Sequence, residues 1–128
     1  MKKVQVIGLP GSGKTTGIEI YNDRAFALSI LDIRNFIGRY REAKFIEAIR
    51  SQDTNVIAES ACGVDAAGTY IIKLEIPRCQ LLENLAKRQD RIDPEYLRLL
   101  MDQTLPANYT VSSSQDLTEL LTTIFKRY

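Results

Sequence analysis

The chain has 128 residues, with 17 Lys and Arg against 16 Asp and Glu, and 45% of its residues are hydrophobic. That apolar content suits one domain spanning residues 1–128 with a real core and excludes intrinsic disorder, while the charge balance excludes a protein built mainly to coat nucleic acid. There is no His, so imidazole bases, His triads and His-rich metal sites are excluded and any general base must be a carboxylate.

The first element is a short β-branched strand, about Lys3 to Ile7, which runs straight into Gly8-Leu9-Pro10-Gly11-Ser12-Gly13-Lys14-Thr15. Lys14 to Tyr21 can follow as a helix. A second apolar run, Ala25 to Leu31, ends at Asp32, and a helix from about Phe36 or Tyr40 to Ser51 carries Tyr40, Ala43, Ile46 and Ile49 near helical spacing. Asn55 to Ala58 reads as a third strand ending at Glu59. A fourth, Tyr70 to Ile76, stops at Pro77, where a helix with Leu81, Leu82 and Leu85 begins.

Asp93-Pro94-Glu95 has the form of an N-cap, a proline in the first helical position and a first-turn acid, opening a helix to about Gln103. Asn108 to Val111 is a short fifth strand. After the Ser112-Ser113-Ser114 turn, Leu117, Leu120, Leu121, Ile124 and Phe125 mark the apolar face of a last helix, with Lys126 and Arg127 opposing its dipole. Strands alternating with helices imply a doubly wound α/β domain, with a parallel sheet of about five strands, helices on both faces and ligands at the carboxyl ends of the strands.

The glycine-rich segment fits the phosphate-binding pattern G-x-x-x-x-G-K-[ST] between a strand and a helix, the context that the pattern requires. Gly8, Gly11 and Gly13 are read as positions of positive φ and close approach, with N–H groups from Gly11 to Thr15 aimed inward at a helix N-terminus. Lys14 would reach the β- and γ-phosphates, and the Thr15 hydroxyl would ligate Mg²⁺. Gly8, Gly11, Ser12, Gly13, Lys14, Thr15 and Thr16 are thus the expected holders of ATP.

Asp32 and Glu59 each end an apolar strand, so the topology aims both at this loop. One could help hold the metal and the other orient or deprotonate an accepting hydroxyl. The alternatives are local: an Asx-turn or N-cap for Asp32, and a turn acid for Glu59. Cys62 and Cys79 form no C-x-x-C pair and read as buried free thiols of a reducing compartment. With no apolar run long enough to cross a bilayer and no leader-like start, a cytoplasmic protein is expected.

In its loop and element order the chain resembles the P-loop kinases of small molecules, which include adenylate, shikimate and gluconate kinases, deoxynucleoside kinases and polynucleotide kinase. The resemblance implies phosphoryl transfer from ATP with Mg²⁺ to a small acceptor. It places Lys14, Asp32, Glu59 and Arg88 in the catalytic machinery, Asp32 toward the acceptor and Glu59 with Thr15 at the metal or base position. Lys87-Arg88-Gln89-Asp90-Arg91 falls in the interval of the family's basic lid. Arg34, Arg39 and Tyr40, in a set with Phe36 and Arg41, fall where such enzymes bind the acceptor, favouring a nucleoside or nucleotide over a nucleic acid 5′ end. The short chain leaves little room for an acceptor-binding insertion or large lid, so a minimal kinase and a nucleotide-binding protein without robust catalysis both stand. A GTPase is the further alternative, since Val64-Asp65-Ala66-Ala67-Gly68 contains D-x-x-G, although no N-K-x-D segment accompanies it.

Overall fold

In the computed structural model of the chain, residues 2–22, 28–87 and 93–125 are described. The elements are β1 (Lys3–Ile7), α1 (Lys14–Asn22), β2 (Leu28–Asp32), α2 (Arg41–Ser51), β3 (Asn55–Ser60), β4 (Tyr70–Leu74), α3 (Arg78–Lys87), α4 (Pro94–Gln103), β5 (Tyr109–Val111) and α5 (Ser114–Ile124). The five strands form one sheet in the order β2-β3-β1-β4-β5, and every neighbouring pair is parallel. This is the expected doubly wound α/β architecture.

Side chains of β3 alternate between two cores, as the pleat requires. Val4 and Val6 join Ile57, Ile72 and Leu74 beneath α1 and α5, against Ile18, Tyr21, Leu117, Leu121 and Phe125. Val56 and Ala58 face the other way, onto Phe45 and Ile49 of α2. Phe36 meets Phe45 edge to face at 5.4 Å, so it packs into this second core.

The lysines that flank the start of β1 close helices on opposite faces. Lys3 Nζ donates to the carbonyls of Ile49 and Arg50 at 2.8 and 2.9 Å, at the end of α2. Lys2 Nζ donates to Ile124 at the end of α5, at 2.7 Å. Both cations meet the unpaired carbonyls and negative dipole end of a helix.

β3 returns to β4 without a helix. Residues 61–69 cross under β1 as an extended segment with a glycine turn at each end, Gly63 at φ 86 and Gly68 at φ 80. Val64 and Ala66 fill the second core in place of a helix. The buried Gln5 side chain holds the crossing: Val64 N donates to Gln5 Oε1 at 2.8 Å, and Gln5 Nε2 donates to Val64 O and Thr69 Oγ1, each at 2.8 Å. One amide in the central strand thereby satisfies a crossing backbone that has no ladder of its own.

The boundaries shift modestly from those read in the sequence. β4 stops at Leu74 because β5 ends at Val111, although Glu75 N still donates to Val111 O at 2.9 Å. α3 starts after Pro77, whose carbonyl accepts from Leu81 N. α2 starts at Arg41 behind the Gly38 turn at φ 104. Asp93 caps α4 through Glu95 N, with Pro94 in its first turn. Cys79 sits exposed on α3 rather than buried, and Cys62 is half-buried. Ala25 to Ala27, Lys126 and Arg127 lie outside the described residues.

Two substitutions test this packing. Gln5→Leu keeps the volume but leaves the Val64 N–H without a partner, while Val64 O still accepts from Ala66 N at 2.9 Å, and is expected to lower unfolding free energy by about 1–3 kcal/mol in denaturant melts. Gly17→Ala, ordinarily a gain in a helix, is expected to cost about 1–2 kcal/mol. A Cβ there would lie 2.8 Å from Leu117 Cδ2 and 3.0 Å from Ser114 O; a more stable alanine variant would contradict this close α1–α5 contact.

Candidate active site

The β1 register builds the site. Val6 lies beside Glu59 and Ile7 beside Ser60, while Asp32 lies beside Glu59 on the next strand. Asp32 and Glu59 therefore stand as neighbours at the carboxyl edge of the sheet. Between β1 and α1 the glycine loop curls over this edge.

Each glycine has its own reason. Gly11 and Gly13 take φ of 85 and 96, which only glycine adopts readily. Gly8 does not share that conformation; it is required for space, since a Cβ there would lie 2.7 Å from Leu74 O and 2.9 Å from Ser12 Oγ. The loop carbonyls are held from outside, with Asn84 Nδ2 of α3 donating to Gly11 O and Ser114 Oγ of α5 donating to Gly13 O, both at 2.9 Å. Tying the carbonyls back leaves the N–H edge and the α1 N-terminus for an anion.

The Lys14 ammonium folds back to donate to the Gly8 carbonyl. Burial lowers its pKa to about 8, with the Arg34 charge adding to the fall and Glu59 and Asp32 opposing it. Thr15 Oγ1 donates to Glu59 Oε1 at 2.8 Å, and Glu59 is buried. These two hard oxygens could hold Mg²⁺. Among the described residues no group of three or more His, Cys, Asp or Glu could hold a metal ion.

Asp32 performs the capping role open to it in the sequence. It accepts from Arg34 N at 2.9 Å and pairs with the Arg34 guanidinium, with Nη2 to Oδ2 at 2.6 Å. Burial pushes its pKa up, but the hydrogen bonds and charge of Arg34 outweigh this and hold it below the usual carboxylate range. The same bonds raise the pKa of Arg34.

A cleft of about 1020 Å³ joins these groups, lined by the loop from Leu9 to Thr16 and by Asp32, Arg34, Arg41, Glu59, Gln80, Asn84, Lys87, Tyr96 and Ser112 to Ser114. Of the acceptor set, Arg34 and Arg41 line it. Arg39 and Tyr40 do not: both are exposed ahead of α2, because the Gly38 turn delivers Arg41 to the cleft instead, where its Nε donates to Ile33 O at 3.1 Å. Lys87 of the basic lid interval lines the cleft, whereas Arg88 and Arg91 lie outside the described residues. Asp65 is exposed on the crossing and does not line the cleft, so the D-x-x-G sequence is a turn and not part of the loop's surroundings. Sequence reasoning missed Asn84 and Ser114. The signals were present, an asparagine in mid-helix beside buried leucines and a serine following a helix cap, but neither says which carbonyl it will meet.

No protein-family model matches the chain, and no curated protein matches it in sequence. Solved structures do match. A sugar kinase from Janibacter sp. is 15% identical, with a TM-score of 0.69 over 96% of this chain and 93% of its own. A shikimate kinase from Acinetobacter baumannii, solved with shikimate, is 19% identical, with a TM-score of 0.67 over 97% and 93%. A gluconokinase from Sinorhizobium meliloti is 15% identical, with a TM-score of 0.69 over 94% and 87%. Across nearly its whole length the chain therefore has the fold of the P-loop small-molecule kinases.

Proposed function

We propose that the protein is a cytoplasmic kinase, one nucleotide-binding unit spanning the chain, that transfers the γ-phosphoryl group of ATP to a hydroxyl of a small acceptor, with a nucleoside or nucleotide favoured. The observation that carries this reading is the meeting of Thr15, Glu59 and Asp32 at the mouth of the glycine loop. A loop alone would serve binding. Two acids in register beside it supply what phosphoryl transfer adds, a place for the metal and a group for the accepting hydroxyl.

In this reading the loop N–H groups and Lys14 hold the β- and γ-phosphates, the ammonium leaving the Gly8 carbonyl for them. Thr15 and Glu59 would hold Mg²⁺, which when bound would neutralise phosphate charge. Asp32, kept anionic by Arg34, orients the accepting hydroxyl and takes its proton. Arg34 and Arg41 attract an anionic group of the acceptor, the phosphate of a nucleotide or the carboxylate of a sugar acid. Arg88, with Lys87 beside it, neutralises charge on the group in transit.

ATP labelled in its γ-phosphate, offered with nucleosides, nucleoside monophosphates, sugars, sugar acids and 5′-hydroxyl oligonucleotides, tests the proposal. Transfer to one class is expected, abolished in Lys14→Ala and slowed about 10²–10⁴-fold in Glu59→Gln. Slow hydrolysis with transfer to none would favour nucleotide binding without robust catalysis, and GTP outcompeting ATP would revive the GTPase alternative.

The depressed Lys14 pKa gives the reaction a pH signature. A lysine near 8 loses its charge as pH rises through 8, so kcat/KM, which reports the free protein, is expected to fall above about pH 8. In Lys14→Arg that fall should move beyond the accessible range. The sign for stability is opposite. Between about 8 and the ordinary 10.5 the unfolded chain binds the extra proton, so this group's contribution to stability rises with pH.

A further inference from the structure

Asp32 lines the cleft, yet neither of its carboxylate oxygens is free. Oδ1 accepts from Arg34 N at 2.9 Å and from Arg34 Nε at 3.1 Å, and Oδ2 accepts from Arg34 Nε at 3.0 Å and Nη2 at 2.6 Å. A guanidinium fork laid across both oxygens takes up the lone pairs that an accepting hydroxyl would need. The acid best placed to receive a proton is covered.

The two partners differ in what holds them. Asp32 ends β2 and caps the 3₁₀ turn Ile33–Asn35 through Arg34 N, and its side chain is 17% exposed against 61% for Arg34. The guanidinium can therefore swing into the cleft while the carboxylate stays. Oδ1 would keep the backbone N–H of Arg34, and Oδ2, which has no other donor among the described residues, would come free. Arg41 marks where the guanidinium would go. It lines the same cleft, with its Nε fixed at 3.1 Å on the carbonyl of Ile33, the residue between Asp32 and Arg34. Its Nη1 and Nη2 have no protein partner among the described residues. An oxyanion seated on that fixed fork offers Arg34 the same two-oxygen geometry that Asp32 does. A neutral hydroxyl or a water offers no charge in exchange.

We propose that Arg34 is a lock on the base that an anionic acceptor opens: the acceptor's phosphate or carboxylate, seated on Arg41, draws the Arg34 guanidinium off Asp32 and frees Oδ2 for the accepting hydroxyl. The inference rests on the kinase reading above and adds a condition to it, that charge on the acceptor is needed for turnover and not only for affinity. With the lock open, the hydroxyl proton passes to Asp32 Oδ2 and the hydroxyl oxygen bonds to the γ-phosphorus. The bond from that phosphorus to the β,γ-bridging oxygen breaks, and its electron pair leaves with ADP. Water alone meets a covered base, so ATP is not hydrolysed in place of transfer.

Hydrolysis of saturating MgATP with no acceptor present tests the lock, because water then stands where the acceptor would. The wild type should hydrolyse slowly and be stimulated about tenfold or more by acetate or by methyl phosphate, anions with no alcohol to phosphorylate. Which of the two stimulates tells a carboxylate acceptor from a phosphate one. Arg34→Ala should hydrolyse about tenfold or more faster than wild type without any anion, and gain nothing from either. Arg34→Gln, which keeps a side chain of similar reach without the charge, should match it, so the result does not hang on the fold of one variant. Arg41→Ala should need about tenfold or more anion for the same rise. Arginine-34 variants that hydrolyse no faster than wild type, or that still respond to the anions, would overturn the proposal, and so would a wild type that neither anion stimulates. Wild-type protein that binds no MgATP in calorimetric titration would instead sink the kinase reading itself.

Discussion

The parallel pairing of β1 with β3 is the constraint from which the site follows. It sets Val6 beside Glu59 and Ile7 beside Ser60, so the chain that leaves β1 to become the glycine loop must curl over the carboxylate that ends β3. Once α1 packs its Gly17 face against α5, the position of Thr15 is set as well, and its hydroxyl meets Glu59. Shifting the register by one residue would turn Glu59 to the opposite face, and the pair would be lost. Packing on a sheet thus does the work of positioning that a dedicated loop would do less rigidly.

The charges around that edge are compensated within the molecule. Lys14 has the Gly8 carbonyl, Asp32 has Arg34, and Glu59 has the Thr15 hydroxyl. Each partner is a group that a phosphate, a metal or an anionic acceptor can displace with a stronger one. A desolvated lysine gains most from such an exchange, since the burial that lowers its pKa is also what strengthens its attraction to an incoming anion.

Much of this was legible in the residues. The glycine loop was read from spacing alone, and the order of strands and helices from where β-branched runs and leucine faces alternate. Asp93-Pro94 announced a helix start because cap and proline act locally. What escaped was what depends on meeting a distant segment. Gln5 in an apolar strand carried no sign that it would hold residues 61–69, nor did that stretch, with its two glycines, show that an extended crossing would replace a helix. Lys2 and Lys3 carried no sign of their partners, which are helix ends far along the chain. Arg39 and Tyr40 lie away from the cleft for a narrower reason: the sequence shows a basic, aromatic cluster but not where the Gly38 turn sends each member.

The central place of β1 has a consequence for how the protein comes to exist. β1 leaves the ribosome before both of the strands that must flank it, since its neighbours β3 and β4 are made later, with Lys3 pairing to Val56 and Val4 to Tyr70. At about 5–20 residues per second, β1 waits several seconds with Val4, Val6 and Ile7 uncovered and both edges open. Pairing between such distant segments is the slow part of folding, and an apolar strand with free edges is the natural seed of association between nascent chains. The strand that makes the site rigid in the finished protein is the one most in need of protection while the protein is being made.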